Sequence, residues 1–170
     1  APPSWARARA AAPRWVLPRV GWGALPAPRR FDLYDEPMAT MTELEAYAEA
    51  VSAGLIGLSA RILAGAETNG TEELVRHAGI AQAIAGLLAA LPVHAARGQV
   101  YVPRDLLERH GAVPADTTAR IARPGVRAAL AELRSSAQGH LAAARSRFDT
   151  VPPAMLPALL PVALAPAMLA

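Results

Sequence analysis

From Ala78 to Val93 the chain is apolar on every side, with Gln82 as the single polar side chain and no charge. Such a segment must be hidden from water all round, yet it falls short of the ~20 residues that a bilayer-spanning helix needs. It predicts a helix buried at the centre of a bundle and wrapped by other helices. Composition supports this: hydrophobic residues make up 53% of the 170, but aromatic residues only 5%. A core rich in alanine and leucine and poor in aromatics suits close-packed helices better than a sheet. The expected fold class is therefore all-α, with enough chain to bury a single core.

The flanking sequence supplies the wrapping helices. From Thr42, the residues Leu44, Tyr47, Val51, Leu55, Leu58 and Ile62 recur every three or four positions, with Glu45, Glu49, Ser52 and Ser59 on another face. Thr40 or Thr42 offers an N-cap and Gly65 a stop. A second helix is expected from about Thr71, with Glu72 and Glu73 in its first turn. It should run to Val93, with Pro92 ending or kinking it just before His94. Asn69-Gly70-Thr71 matches a glycosylation sequon, but no secretory apolar region is present, so it reads as a turn and an N-cap. A short helix between Pro103 and Gly111 and a loop from Pro114 to Pro124 follow. Then Val126, Leu130, Leu133, Ala137, Leu141, Ala144 and Phe148 form one unbroken stripe opposite Arg127, Arg134, Gln138 and Arg145. The last stretch, Val151 to Ala170, carries no charge, but Pro152, Pro153, Pro157, Pro161 and Pro166 argue against a membrane span. A kinked helix packed on the bundle is expected there.

The absence of cysteine excludes disulfides, thiolate zinc sites and cysteine nucleophiles. All 17 basic residues are arginine, and six of them precede the first acid, Asp32. Residues 1–30 therefore read as a basic, poorly ordered Ala/Pro/Arg-rich leader, with residues 31–170 as the domain. Trp5, Trp15 and Trp22 interleave with those arginines, as in a mitochondrial targeting segment or an anionic membrane contact; a simple linker is the plainer reading. No distributed basic surface for nucleic acid, Ser-His-Asp arrangement or glycine-rich phosphate loop is present. His77, His94, His110 and His140 never stand four residues apart, so no helical metal site is expected. Glu43, Glu45 and Glu49 read as a solvated acidic face, and Gln82 as a group that satisfies a neighbouring helix end.

One stretch carries a specific signature. Leu87 to Gly98 reads LLAALPVHAARG and is followed by Tyr101 and Pro103; upstream, Tyr47 and Gly54 sit in the helix within residues 29–63. This resembles the squalene/phytoene synthase family, whose buried helix precedes an Arg-Gly-Arg-x-Tyr-x-Pro strap. The resemblance covers roughly residues 29–170, including the helices from Pro124 onward, and implies part of the isoprenoid (trans-prenyltransferase) synthase fold. In that family the buried helix carries an Asp-x-x-x-Asp pair for magnesium. Laying the strap on Arg97, Gly98, Tyr101 and Pro103 puts Ala90 and His94 at those two positions. The family's first aspartate-rich motif is missing as well, because no acid precedes Asp32.

The Leu-Pro-x-His form is closest to the family's non-catalytic complex I assembly factor branch. What that resemblance implies is a catalytically silent assembly or scaffold factor for a respiratory membrane complex. Its partners would be subunits of that complex, with an isoprenoid lipid and peripheral membrane contact, and no nucleic acid. Its place would be the matrix side of the mitochondrial inner membrane, or the bacterial cytoplasm and inner-membrane face. The alternative is a prenyltransferase condensing prenyl diphosphates, which would need magnesium; otherwise no cofactor is expected. No residue is assigned as catalytic or as a metal ligand. Family-motif or lipid-diphosphate contacts are placed at Tyr47, Gln82, His94, Arg97 and Tyr101. Plainer roles stand beside these: His94 as a core histidine bonded to a carbonyl, Arg97 capping a broken helix end, Tyr101 packing across the bundle.

Overall fold

The Thr40 hydroxyl accepts the Glu43 N–H at 3.2 Å, and the Glu43 carboxylate in turn accepts the Ala39 N–H at 2.8 Å. These reciprocal bonds satisfy donors that a helix start leaves open, and helix α1 begins at Met41 and runs to Ala64. It stops at Gly65, whose φ of 57° suits a residue without a β-carbon. The computed structural model describes residues 37–119 and 123–170, so the expected leader at 1–30 lies outside the described residues.

Midway along α1, Glu49–Ala53 form a π turn. Such a turn takes in an extra residue, which rotates everything after it by about 100° relative to a regular helix. The core face consequently passes through Val51, Ser52, Ala53, Ile56 and Ala60, while Leu55 and Leu63 are left exposed. The regular spacing read from sequence put Leu55 inside and Ser52 outside; the π turn reverses both.

Helix α2 spans Glu72–Ala89 and lies between α1 and α6 (Pro124–Arg145). The later part of the apolar run departs from the expectation, with Gly86 to Leu88 half-buried and Ala89, Pro92 and Val93 exposed, but Leu74, Ile80, Ala81, Ile84 and Ala85 are almost entirely removed from water. Each large side chain buried in this way contributes about 1.5–3 kcal/mol relative to exposure. Thr71 precedes α2 but does not cap it: its hydroxyl donates to the Thr68 carbonyl at 2.6 Å.

The break after α2 comes at Ala90, earlier than Pro92. Pro92 then sits in the first turn of a new helix, α3 (Leu91–Ala96), where its missing N–H costs nothing, and His94 lies inside that helix. After the extended strap come α4 (Arg104–Arg109) and α5 (Pro114–Ala119). The segment expected as a loop is thus partly helical. Pro114 opens α5, and the Asp116 carboxylate accepts the Val113 N–H at 3.1 Å and holds the entry turn.

Helix α6 buries Val126, Leu133, Ala137, Leu141 and Ala144 of the expected stripe, with Ala129 buried where Leu130 was expected and Leu130 only partly covered; it ends at Arg145 and leaves Phe148 exposed. The tail does pack on the bundle, through Met155, Ala158, Leu159, Val162, Ala165 and Leu169. It does so as a 3₁₀ helix, Pro153–Leu164, closed by a short α7, Ala165–Leu169. Pro157 and Pro161 lack the N–H groups that a regular α-helix would use, which accounts for the departure from the kinked α-helix expected. Among the described residues there is no strand, and the all-α class holds.

Candidate functional site

The strap is fixed from both ends. Gly98 N–H donates to the Ala95 carbonyl at 3.1 Å and Gln99 N–H to the His94 carbonyl at 2.9 Å. With Gly98 at φ 73°, this closes α3 in the double-bonded pattern that a left-handed glycine permits. The Arg97-Gly98 pair of the family signature is therefore a helix terminator here, and Arg97 points into solvent. At the other end Val102 and Pro103 are buried, and the Arg104 and Asp105 N–H groups donate to the carbonyls of Met38 and Ala39 at 2.9 and 3.0 Å. The strap is thereby tied to the residues that enter α1.

This anchoring sets Tyr101 between two other rings. Its centroid lies 4.7 Å from that of His94 on α3 and 6.5 Å from that of Tyr47 on α1, with ring planes tilted by 46° and 40°. Such tilted pairs add about 0.5–1.5 kcal/mol each beyond their area burial. Five residues beyond Tyr47, the buried Ser52 donates its hydroxyl to the Gln82 carbonyl oxygen, which joins the π turn of α1 to the centre of α2. Gln82 was expected to satisfy a helix end; it meets a side chain at mid-helix instead. Of the five residues singled out from sequence, Tyr47, His94 and Tyr101 converge, Gln82 is held by Ser52, and Arg97 stands apart.

The arrangement offers aromatic faces, an imidazole and an amide, and can pack or hydrogen-bond a ligand. It does not fit magnesium. At the two positions of the family's acids there is a methyl group and an imidazole packed on Tyr101, whereas a hard cation requires carboxylate and water oxygens. Among the described residues, no cluster of three or more histidine, cysteine, aspartate or glutamate side chains is arranged to hold a metal.

A second set of polar residues escaped the reading of the sequence. His77 and His140, on α2 and α6, approach to 2.8 Å between their Nδ1 atoms. Glu45, expected on a solvated face, lies 3.4 Å from His140 Nε2. Near the C-terminal end of α4, Glu132 accepts from Arg109 at 2.7 Å and lies 2.8 Å from His110 Nε2. The only hint in the sequence was that His77 and His140 directly adjoin apolar-stripe residues, Ala78 and Leu141. An apolar cavity of about 410 Å³ is lined by Leu74, Leu141, Phe148, Leu156 and Leu160 among others, with Arg145 at its edge. It shares no residue with the three-ring cluster.

The family model described as squalene/phytoene synthase matches residues 1–170. The chain belongs to the squalene/phytoene synthase family. Among solved structures it is similar to a squalene synthase, HpnC, from Alicyclobacillus acidocaldarius. The TM-score is 0.85 at 25% identity, covering 99% of this chain and 64% of that one. A dehydrosqualene synthase solved with a ligand shares the fold at a TM-score of 0.70, 15% identity and 86% of this chain. The isoprenoid synthase fold expected from the strap is therefore present. Among curated proteins, the chain is 35% identical over 132 residues to mouse NADH dehydrogenase (ubiquinone) complex I, assembly factor 6. The rat and human proteins of that name are 34% and 35% identical over 147 residues, or 86% of this chain. This squalene/phytoene synthase-family chain spans about two fifths of the length of those relatives, 39% of the mouse protein and 42% of the rat and human proteins.

Proposed function

We propose that this chain is a catalytically silent member of its family that serves as an assembly or scaffold factor for a respiratory membrane complex. The observation that carries this reading is the state of residues 90 and 94. Ala90 brings no ligand, and the His94 ring is engaged with Tyr101 at 4.7 Å, at the two places where the family resemblance sets aspartates. The chain has no acid between Glu73 and Asp105 to take over their work. Support also comes from the mammalian relatives, which are named for assembly of complex I. On this reading the partners are subunits of such a complex. The site of action is the matrix side of the mitochondrial inner membrane or the equivalent bacterial face, and the ligand, if one is held, is an isoprenoid lipid.

A second reading, prenyl transfer, draws support from the likeness to a squalene synthase. Loss of a diphosphate leaving group requires divalent cations to neutralise its charge. The two readings therefore part on one measurement. Calorimetric titration of the full chain with a non-hydrolysable farnesyl diphosphate analogue, with and without magnesium, is expected to show no magnesium-dependent binding. Binding that requires the metal would overturn the silent reading. Affinity purification of the tagged chain from cells should recover respiratory-complex subunits, and recovery of none would remove the assembly role.

A further inference from the structure

Four side chains from three helices stand in file through the bundle. Glu73 Oε2 on α2 lies 3.6 Å from His77 Nε2. His77 Nδ1 lies 2.8 Å from His140 Nδ1 on α6, and His140 Nε2 lies 3.4 Å from Glu45 Oε1 on α1. The imidazoles are largely shielded, with side-chain exposures of 18% and 14%, and both outer carboxylates reach water.

Counting protons along this file decides its chemistry. Two neutral imidazoles carry two N–H groups between them, and two contacts fall within hydrogen-bond distance, the one between the rings and the one from His140 to Glu45; Glu73, at 3.6 Å, makes an ion-pair contact only. With two protons both bonds are made, His77 Nδ1–H donating to His140 Nδ1 and His140 Nε2–H to Glu45. A third proton, on His77 Nε2, faces Glu73 and leaves both bonds in place. With four, both Nδ1 atoms carry hydrogen and point at each other across 2.8 Å, which the pair cannot accommodate without moving apart.

We propose that Glu73, His77, His140 and Glu45 form a proton-sensitive clamp. It holds α1, α2 and α6 together while one Nδ1 keeps its lone pair, with no added proton or one, and a second added proton forces it open.

The surrounding charges act on the same pair. On α2, Arg76 bonds Glu49 of α1 at 3.1 Å and lies 4.0 Å from Glu73. Arg147, just beyond α6, donates to the Ala143 carbonyl at 2.7 Å and adds positive potential at His77. His77 is held below its ordinary value of 6.5, first by burial, then by His140 and Arg76, with Glu73 opposing and Arg147 contributing least. The sign follows: a histidine depressed in the fold contributes stability that is present above about pH 6.5 and is lost as pH falls and the unfolded chain takes up the proton first. This inference does not depend on the assembly role.

The test is nitrogen-15 NMR of the imidazole nitrogens in the full chain from pH 8 to 4.5. Scalar coupling across the N–H···N bond between His77 and His140 is expected at pH 8 and should vanish once both Nδ1 atoms carry hydrogen. No coupling between the rings at pH 8, or coupling that survives protonation of both Nδ1 atoms, would overturn the clamp. The double variant His77→Leu/His140→Phe, which fills the same space without titrating, should lose most of the fall in melting temperature between pH 6.5 and 4.5. An unchanged fall in that variant would overturn it too, and if the variant does not fold, the native titration decides alone.

Discussion

Gly79 of α2 is seated directly on Ala53 of α1: a β-carbon added at Gly79 would stand 2.4 Å from both the Cα and the N of Ala53. Both partners are backbone, so nothing at this crossing can swing aside. Gly79→Ala must therefore push the helices apart and is expected to destabilise the protein by about 1–3 kcal/mol, read as a lower urea midpoint with an unchanged slope. Gly86, whose added β-carbon would meet nothing within 4 Å, is the control. Gly86→Ala should be neutral or slightly stabilising, because it adds helix propensity without a clash.

The bond from Ser52 to Gln82 links the π turn to the central helix. Ser52→Ala leaves the Gln82 oxygen without its donor and should cost about 1–2 kcal/mol. Replacing both partners, as Ser52→Ala with Gln82→Leu, should recover much of that loss, since removing both polar groups is cheaper than stranding one. A double-mutant cycle by chemical denaturation measures it, and additive losses would contradict the pairing.

Glu132 joins α6 to the end of α4 through His110 and Arg109. The hydrogen bond from His110, helped by the charge and bond of Arg109, holds this carboxyl below its ordinary value of 4.5. A depressed carboxylate stabilises the fold above that pH, and the contribution disappears as pH falls through the folded value. Native protein should melt above Glu132→Gln at pH 6, and the gap should close toward pH 3. A gap that persists at pH 3 would show that the charge is not what matters.

Leu160 and Leu164 on the 3₁₀ tail are 67% and 59% exposed, beside Phe148 at 50%. An exposed apolar stretch of this kind favours self-association more than it contributes to folding. Leu160→Asn with Leu164→Asn should change stability by less than about 0.5 kcal/mol per site while lowering the self-associated fraction in sedimentation velocity.

Local patterns made much of this protein legible without coordinates. The apolar run marked α2 as a helix of the core, although its last turns stay partly exposed, the stripe of α6 marked one packed face, and the strap residues carried the family resemblance. His94 and Tyr101 were singled out by the resemblance of the strap and Tyr47 by a second match upstream; that the three rings meet was not legible there. The π turn left no mark in the spacing, since it exchanges Leu55 for Ser52 on the core face through a backbone bond that tertiary packing supports. Pro92 pointed to a break, which falls at Ala90 because the proline takes its place in the first turn of α3. The His77–His140 contact joins residues 63 positions apart on different helices. No periodicity encodes such a pair, because it depends on how two helices rotate against each other. Period and composition are properties of neighbours along the chain, and they determined the class, the buried helix and the family; the meeting of distant side chains is a property of packing, and only the folded bundle decided it.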